Sequence, residues 1–118
     1  MKKAIITVII VLSLPVFALA TCYESEINPD VFKTWQVVDK LGTCPYGYVL
    51  MMEDPNTGQH ATVISHPKIG LLSYSYVENG EVAVYGYDFQ KKCYTRQPCS
   101  KKDAEIIGQL LYEYDNKV

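Results

Sequence analysis

Between residues 48 and 89 short apolar runs are separated by turn residues, and in the last of them apolar and polar positions alternate with a period of two, the pattern of half-buried strands. The clearest stretch has two alternating runs, Leu71 to Val77 and Val82 to Phe89, joined by Glu78-Asn79-Gly80-Glu81. Asn-Gly between such runs is the strongest short-range hairpin signal, because both residues tolerate the positive φ of a tight primed turn. Val77 is therefore expected opposite Val82. Strict alternation then sets Leu72, Tyr74, Tyr76, Ala83, Tyr85 and Tyr87 on one face. Leu71, Ser73, Ser75, Val77, Val82, Val84, Gly86 and Asp88 fall on the other, which is smaller and more mixed. Two earlier strands are expected over Tyr48 to Glu53 and Gln59 to Ser65. They are bounded by Asp54-Pro-Asn-Thr-Gly58 and His66-Pro-Lys-Ile-Gly70, where proline and glycine supply the turn geometry.

The period changes at both ends. Asn28-Pro29-Asp30 reads as an N-cap, a proline at the first helical position and an acid in the first turn. Val31, Trp35 and Val38 recur at helical spacing, Phe32 and Leu41 widen the stripe, and Lys40 and Gly42 supply a stop, which predicts a helix over 29–41. Ser100, with Asp103 at the capping-box position, precedes a stripe of Ile106, Ile107, Leu110, Leu111 and Tyr114 and predicts a second helix over 101–114. The expected architecture is α+β: helix, four-stranded antiparallel β-meander, C-terminal helix, with the helices on one sheet face.

The first 20 residues stand outside this pattern. Met1-Lys2-Lys3 is a positive n-region, Ala4 to Leu14 an apolar h-region, and Ala18-Leu19-Ala20 a small-residue cleavage site. The expected product of cleavage after Ala20 is a single domain over 21–118, periplasmic or secreted, with no stable membrane insertion once the signal is gone. The apolar run contains Pro15 and falls short of the ~20 residues of a spanning helix. Thr21 before Cys22 is a poor fit to a lipidation site.

All four cysteines, Cys22, Cys44, Cys93 and Cys99, lie in the exported part, and an even count in an oxidising compartment reads as a disulfide framework. Each local pair, Cys22–Cys44 and Cys93–Cys99, brackets one structural unit. Loop-closure entropy assigns them roughly 3.5 and roughly 2.5 kcal/mol. Loss of Lys2 and Lys3 with the signal leaves 9 basic against 13 acidic residues, a net charge of −4. That balance disfavours nucleic acid and anionic membrane surfaces and suits a basic protein partner.

The usual catalytic patterns are missing. His60 and His66 would lie about 20 Å apart on a straight strand, too far to share a metal ion. The sequence has no Gly-x-Ser-x-Gly elbow, no phosphate-binding glycine loop and no paired carboxylates away from turns. No cofactor is implied. What stands out is tyrosine: ten residues, all after the signal, against three phenylalanines. Tyr74, Tyr76, Tyr85 and Tyr87 form either an edge-of-core layer or a recognition face, since tyrosine gives large rigid contact area at low entropic cost. The expected function is a non-enzymatic protein-binding domain of inhibitor or immunity type, acting on a bacterial or phage envelope enzyme or toxin. A structural or assembly subunit of an envelope secretion or conjugation machine is the alternative. A small hydrolase using His60 or His66, or glycan binding on stacked tyrosines, follows behind.

Overall fold

The computed structural model describes residues 25–116, so the expected signal peptide and Cys22 lie outside the described residues. Six strands form one antiparallel sheet in chain order: β1 (Gln36–Cys44), β2 (Gly47–Glu53), β3 (His60–His66), β4 (Gly70–Glu78), β5 (Glu81–Asp88) and β6 (Cys93–Gln97). A 3-10 helix, Pro29–Lys33, precedes the sheet, and one α-helix, α1 (Lys101–Asp115), follows it. The four-stranded meander of the sequence reading is therefore extended by one strand at each edge, and the α+β class holds only in part.

The new edge strands come from segments with a different expected structure. The first helix starts where its signals put it: the Asn28 side chain accepts a hydrogen bond from the Asp30 N–H at 3.0 Å, and Pro29 opens the helix. It stops after five residues rather than running to Leu41. Thr34, Val37 and Val38 are poor helix formers, and pairing with β2 (Val37 opposite Met52, Lys40 opposite Leu50) outweighs a marginal helical stripe. Gly42, read as a helix stop, sits at one of two register shifts in β1, where the strand bends.

At the other end, the segment expected to close on itself through Cys93–Cys99 is a turn followed by β6. Cys93 opens that strand opposite Asp88, and Cys99 lies beyond its end. Six residues of extended chain separate their α-carbons by about 20 Å, whereas a bridge needs them within about 7 Å. No disulfide is found among the described residues, and Cys44 and Cys99 carry free thiols. The stapled framework is thus replaced by hydrogen-bonded turns. The Asp88 carboxylate accepts from the N–H groups of Gln90 (2.9 Å) and Lys91 (3.0 Å), and these bonds hold it below its ordinary range. Asp54 organises the β2–β3 turn in the same way through the Asn56 N–H and the Thr57 hydroxyl.

The central hairpin has the expected register. Val77 pairs with Val82, and Asn79 and Gly80 take φ values of 55° and 79°. One departure changes a face. A register shift between β3 and β4 skips Leu72, so Leu71 rather than Leu72 packs on the tyrosine core.

The sheet is covered on both faces instead of one. Tyr74, Tyr76 and Tyr85 stack in a row, with ring centroids 5.1 Å apart for Tyr74–Tyr85 and 6.3 Å for Tyr74–Tyr76. Over them lies a strap of residues 25–35, whose Phe32 ring sits 5.1 Å from Tyr74, with Trp35 edge-on to Phe32 at 4.9 Å. On the opposite face α1 crosses β3, β4 and β5, burying Leu111 and setting Gly108 against the Val82 side chain.

Gly47 is the most closely approached of the glycines. Its φ is +145°, and a Cβ there would lie 2.2 Å from the Ser65 carbonyl oxygen on the neighbouring backbone. Gly47→Ala is expected to cost about 3 kcal/mol. Gly42→Ala, with open space around its α-carbon, should stay within about 1 kcal/mol of the parent. Urea unfolding of the two variants measures the contrast, and equal midpoints would refute the packing argument.

Candidate functional site

The tyrosines singled out from the sequence divide. Tyr74, Tyr76 and Tyr85 are buried beneath the strap, so their rings present no surface to a partner. Their hydroxyls are also used. The Ser25 hydroxyl donates to the Ile27 carbonyl at 2.6 Å and so accepts from the Tyr74 hydroxyl at 2.7 Å. Glu78 is the hub: Oε2 accepts from Tyr76 and from the Glu26 N–H (2.6 Å), and Oε1 from Tyr85 (2.6 Å). Burial, followed by the bond to the Glu78 carboxylate, pushes both phenols well above their ordinary range. Burial alone would raise the carboxyl as well. The two phenol donors, the Glu26 N–H and the charge of Arg96 outweigh it and hold Glu78 below its ordinary value. This cluster fastens the strap to the sheet. Tyr87 lies apart, half-buried at the opposite end of β5, with its ring between Phe89 (5.0 Å) and Tyr94 (5.2 Å).

The histidines are likewise engaged. His60, only 6% exposed, has its Nε2 2.8 Å from Glu53 Oε1 and its Nδ1 2.7 Å from Asp115 Oδ1. Beside it, Tyr114 donates its hydroxyl to the Asp39 carboxylate. The arrangement ties β1, β2 and β3 to the C-terminal turn of α1. With a carboxylate on each nitrogen, the ring has no lone pair turned toward a substrate. The sequence offered one signal for this pair, since Glu53 and His60 flank the β2–β3 turn and pair across it. The helical partner Asp115 had none. His66 Nδ1 accepts from the N–H groups of Lys68 (3.1 Å) and Ile69 (3.2 Å), which places the ring's proton on Nε2 and makes the side chain a turn clip. Among the described residues, no group of three or more His, Cys, Asp or Glu is placed to hold a metal ion. No described helix is long and apolar enough to cross a membrane.

What remains open is a groove of about 480 Å³ on the half of the sheet that α1 leaves bare. Its floor is the cross-strand row Ile64, Ser73 and Gly86, which alternation puts on the same face as Val82 and hence as α1. Ser73 donates its hydroxyl to the Tyr85 carbonyl at 2.9 Å, and Gly86 exposes only its α-carbon beside Gln97. Aromatic walls rise from the turns. Tyr46 in the β1–β2 turn is 66% exposed, Phe89 after β5 is 59% exposed, and Tyr87, packed edge-on against Phe89, also lines the groove. None of the lining residues is charged. Of the expected binding tyrosines only Tyr87 belongs to this site. Tyr46 and Phe89 were masked in the sequence by their place in turns. The run of small residues at Ser73, Ser75 and Gly86 was the available sign that this face has room.

No family model matches the chain, and neither curated proteins nor solved structures include one similar to it at a significant level.

Two consequences of the polar clusters are measurable. Glu78 is held below its ordinary value of 4.5. Its contribution is therefore complete above that pH and is lost as pH falls through the folded value. Tyr76 and Tyr85 are held above 10.0, so theirs is complete below pH 10.0 and is lost as pH rises beyond it. Glu78→Gln should cost about 2 kcal/mol at neutral pH and flatten the acid limb of a stability-against-pH curve; an unchanged limb would sink the assignment. His60→Ala and Asp115→Ala should each destabilise by about 1–2 kcal/mol, with a double-mutant coupling of about 1 kcal/mol. Strict additivity would remove the clasp from the account of helix docking.

Proposed function

We propose that this chain is an exported, non-enzymatic domain that binds another envelope or secreted protein, of inhibitor or immunity type, through the groove between Tyr46 and Phe89. The leader-like segment over 1–20 motivates export. The observation that carries the binding reading is the contrast between this groove and the rest of the polar and aromatic chemistry. Glu78, His60 and the three stacked tyrosines are consumed inside the fold. Tyr46, Tyr87 and Phe89 surround a small-residue floor that nothing among the described residues covers. Exposed aromatics around a slot wide enough for one large side chain are the usual anchors of a protein interface. The open sheet has β1 as one edge, and its two register shifts discourage addition of another strand, which weighs against self-assembly through that edge.

The test is site-specific photo-crosslinking in the native host, with the probe at Tyr46 or Phe89 and, as control, at Lys33 on the exposed strap. A discrete adduct from the first two positions and none from the third is the expected result. With the adduct's partner purified, Tyr46→Ala and Phe89→Ala should each weaken binding about tenfold or more, without changing the circular dichroism spectrum. No adduct from either groove position, together with unimpaired lytic enzymes in the presence of the purified protein, would overturn the reading.

A further inference from the structure

Because each strand pairs with the next in chain order, the turns alternate between the two ends of the sheet. The β1–β2 turn (45–46), the β3–β4 turn (67–69) and the β5–β6 turn (89–92) therefore stand in a row at one end. Each places one large apolar side chain in solvent: Tyr46, Phe89 and, between them, Ile69, which is 56% exposed. The same three turns hold Lys68, Lys91 and Lys92, all exposed, and no acid. Asp88, just before the third turn, accepts from the N–H groups of Gln90 and Lys91 and offsets the Lys91 charge, which leaves Lys68 and Lys92. Lys92 has a φ of 59°, a left-handed conformation that glycine or asparagine adopts more readily, so turn geometry alone does not call for lysine there. The opposite end has the other sign. Glu53, Asp54, Glu78 and Glu81 lie in or beside the β2–β3 and β4–β5 turns, which contain no lysine or arginine.

We infer that this basic tip sets the charge of the partner: the segment that enters the groove between Tyr46 and Phe89 is acidic, with an apolar side chain seated between the rings and flanking aspartate or glutamate meeting Lys68 and Lys92. The inference rests on the reading of the groove as the binding site and adds a charge opposite to the one that the net charge of the whole chain suggests. Complementary charge around an apolar anchor steers the encounter and fixes its register. Two other occupants fit less well. A second copy could offer its acidic end, but there Glu53 is held by His60, Asp54 by its own turn, and Glu78 by Tyr76 and Tyr85. Nor do the two turns at that end carry an aromatic or large aliphatic side chain to fill the groove. An anionic bilayer would meet the lysines and the three apolar tips, but its flat surface would leave the slot over Ser73 and Gly86 empty.

The experiment titrates isotopically labelled protein with three synthetic peptides that share a central phenylalanine and are flanked by glutamates, lysines or glutamines. The glutamate peptide should shift the amide resonances of residues 46, 67–69 and 89–92 and bind about fivefold or more tightly than the glutamine one. That advantage should vanish on raising the salt from about 20 to about 500 mM. The double variant Lys68→Glu/Lys92→Glu should reverse the preference in favour of the lysine peptide, with circular dichroism checking that the fold is kept. Equal binding of the three peptides, binding of none, shifts elsewhere on the protein, preferential binding to phosphatidylglycerol vesicles, or concentration-dependent self-association would each overturn the inference. The two readings fail separately. Equal peptide affinities that Phe89→Ala weakens would keep the groove and remove the partner's charge. Glutamate-peptide binding unaffected by Tyr46→Ala and Phe89→Ala would keep the basic tip and remove the groove.

Discussion

A β-sheet with apolar side chains on both faces has to be covered twice, and much else in this molecule follows from that. One face carries three stacked tyrosines and Val63, and the other carries Met51 and the valines of the central hairpin. Among the described residues two segments serve as covers, one before the sheet and one after it. The first holds only the five-residue 3-10 helix and is laid down as a strap anchored by Phe32 and Trp35. The second is a full helix, but it spans only the end of the sheet near the Asn79-Gly80 turn. The bare remainder of that face is where the groove lies.

Each cover is fixed by buried polar chemistry as well as by apolar contact. A tyrosine row offers hydroxyls that must find acceptors once water is excluded, because an unsatisfied buried donor costs about 1–3 kcal/mol. Glu78 supplies two acceptors from the strand end, and its remaining capacity takes the Glu26 N–H of the strap. The strap's position is thus specified by the same carboxylate that satisfies the core. His60 does the corresponding work on the other face, joining a strand carboxylate to a helix carboxylate. Both devices use ions at the rim of the core, where partial solvation keeps the cost of burying a charge low.

The central hairpin was legible because its determinants are local: a primed turn at Asn79-Gly80 and period-two alternation on either side. The C-terminal helix was legible through its Ser100 cap for the same reason. The edge strands were not. Residues 36–44 have apolar positions compatible with both a helix and a strand, and only pairing with β2 decides between them. Counting cysteines pointed to a bridge at Cys93–Cys99 that an extended β6 makes impossible. In both cases the arbiter was a long-range hydrogen-bond ladder, which leaves no mark within a short window of sequence. The site was missed by a related route. Alternation correctly grouped Tyr74, Tyr76 and Tyr85, yet the question of which face would be buried turned on the strap, whose course depends on Glu78 some fifty residues further along.

The placement of aromatic residues makes the functional argument a physical one. A domain this small gains stability from every ring it buries, at about 25 cal/mol per Å² of apolar surface. Rings left at the surface forgo that gain. Tyr46 and Phe89 sit in separate turns, where polar residues would serve the backbone as well or better. They flank a floor kept shallow by Gly86 and Ser73, so a larger side chain at either position would fill the space they enclose. Two features that each cost stability, exposed rings and small floor residues, are brought together from two strands and two turns. A partner's side chain seated between the rings would bury both and recover the missing contact area, which is why the groove rather than the stacked tyrosine row is the surface on which recognition is best sought.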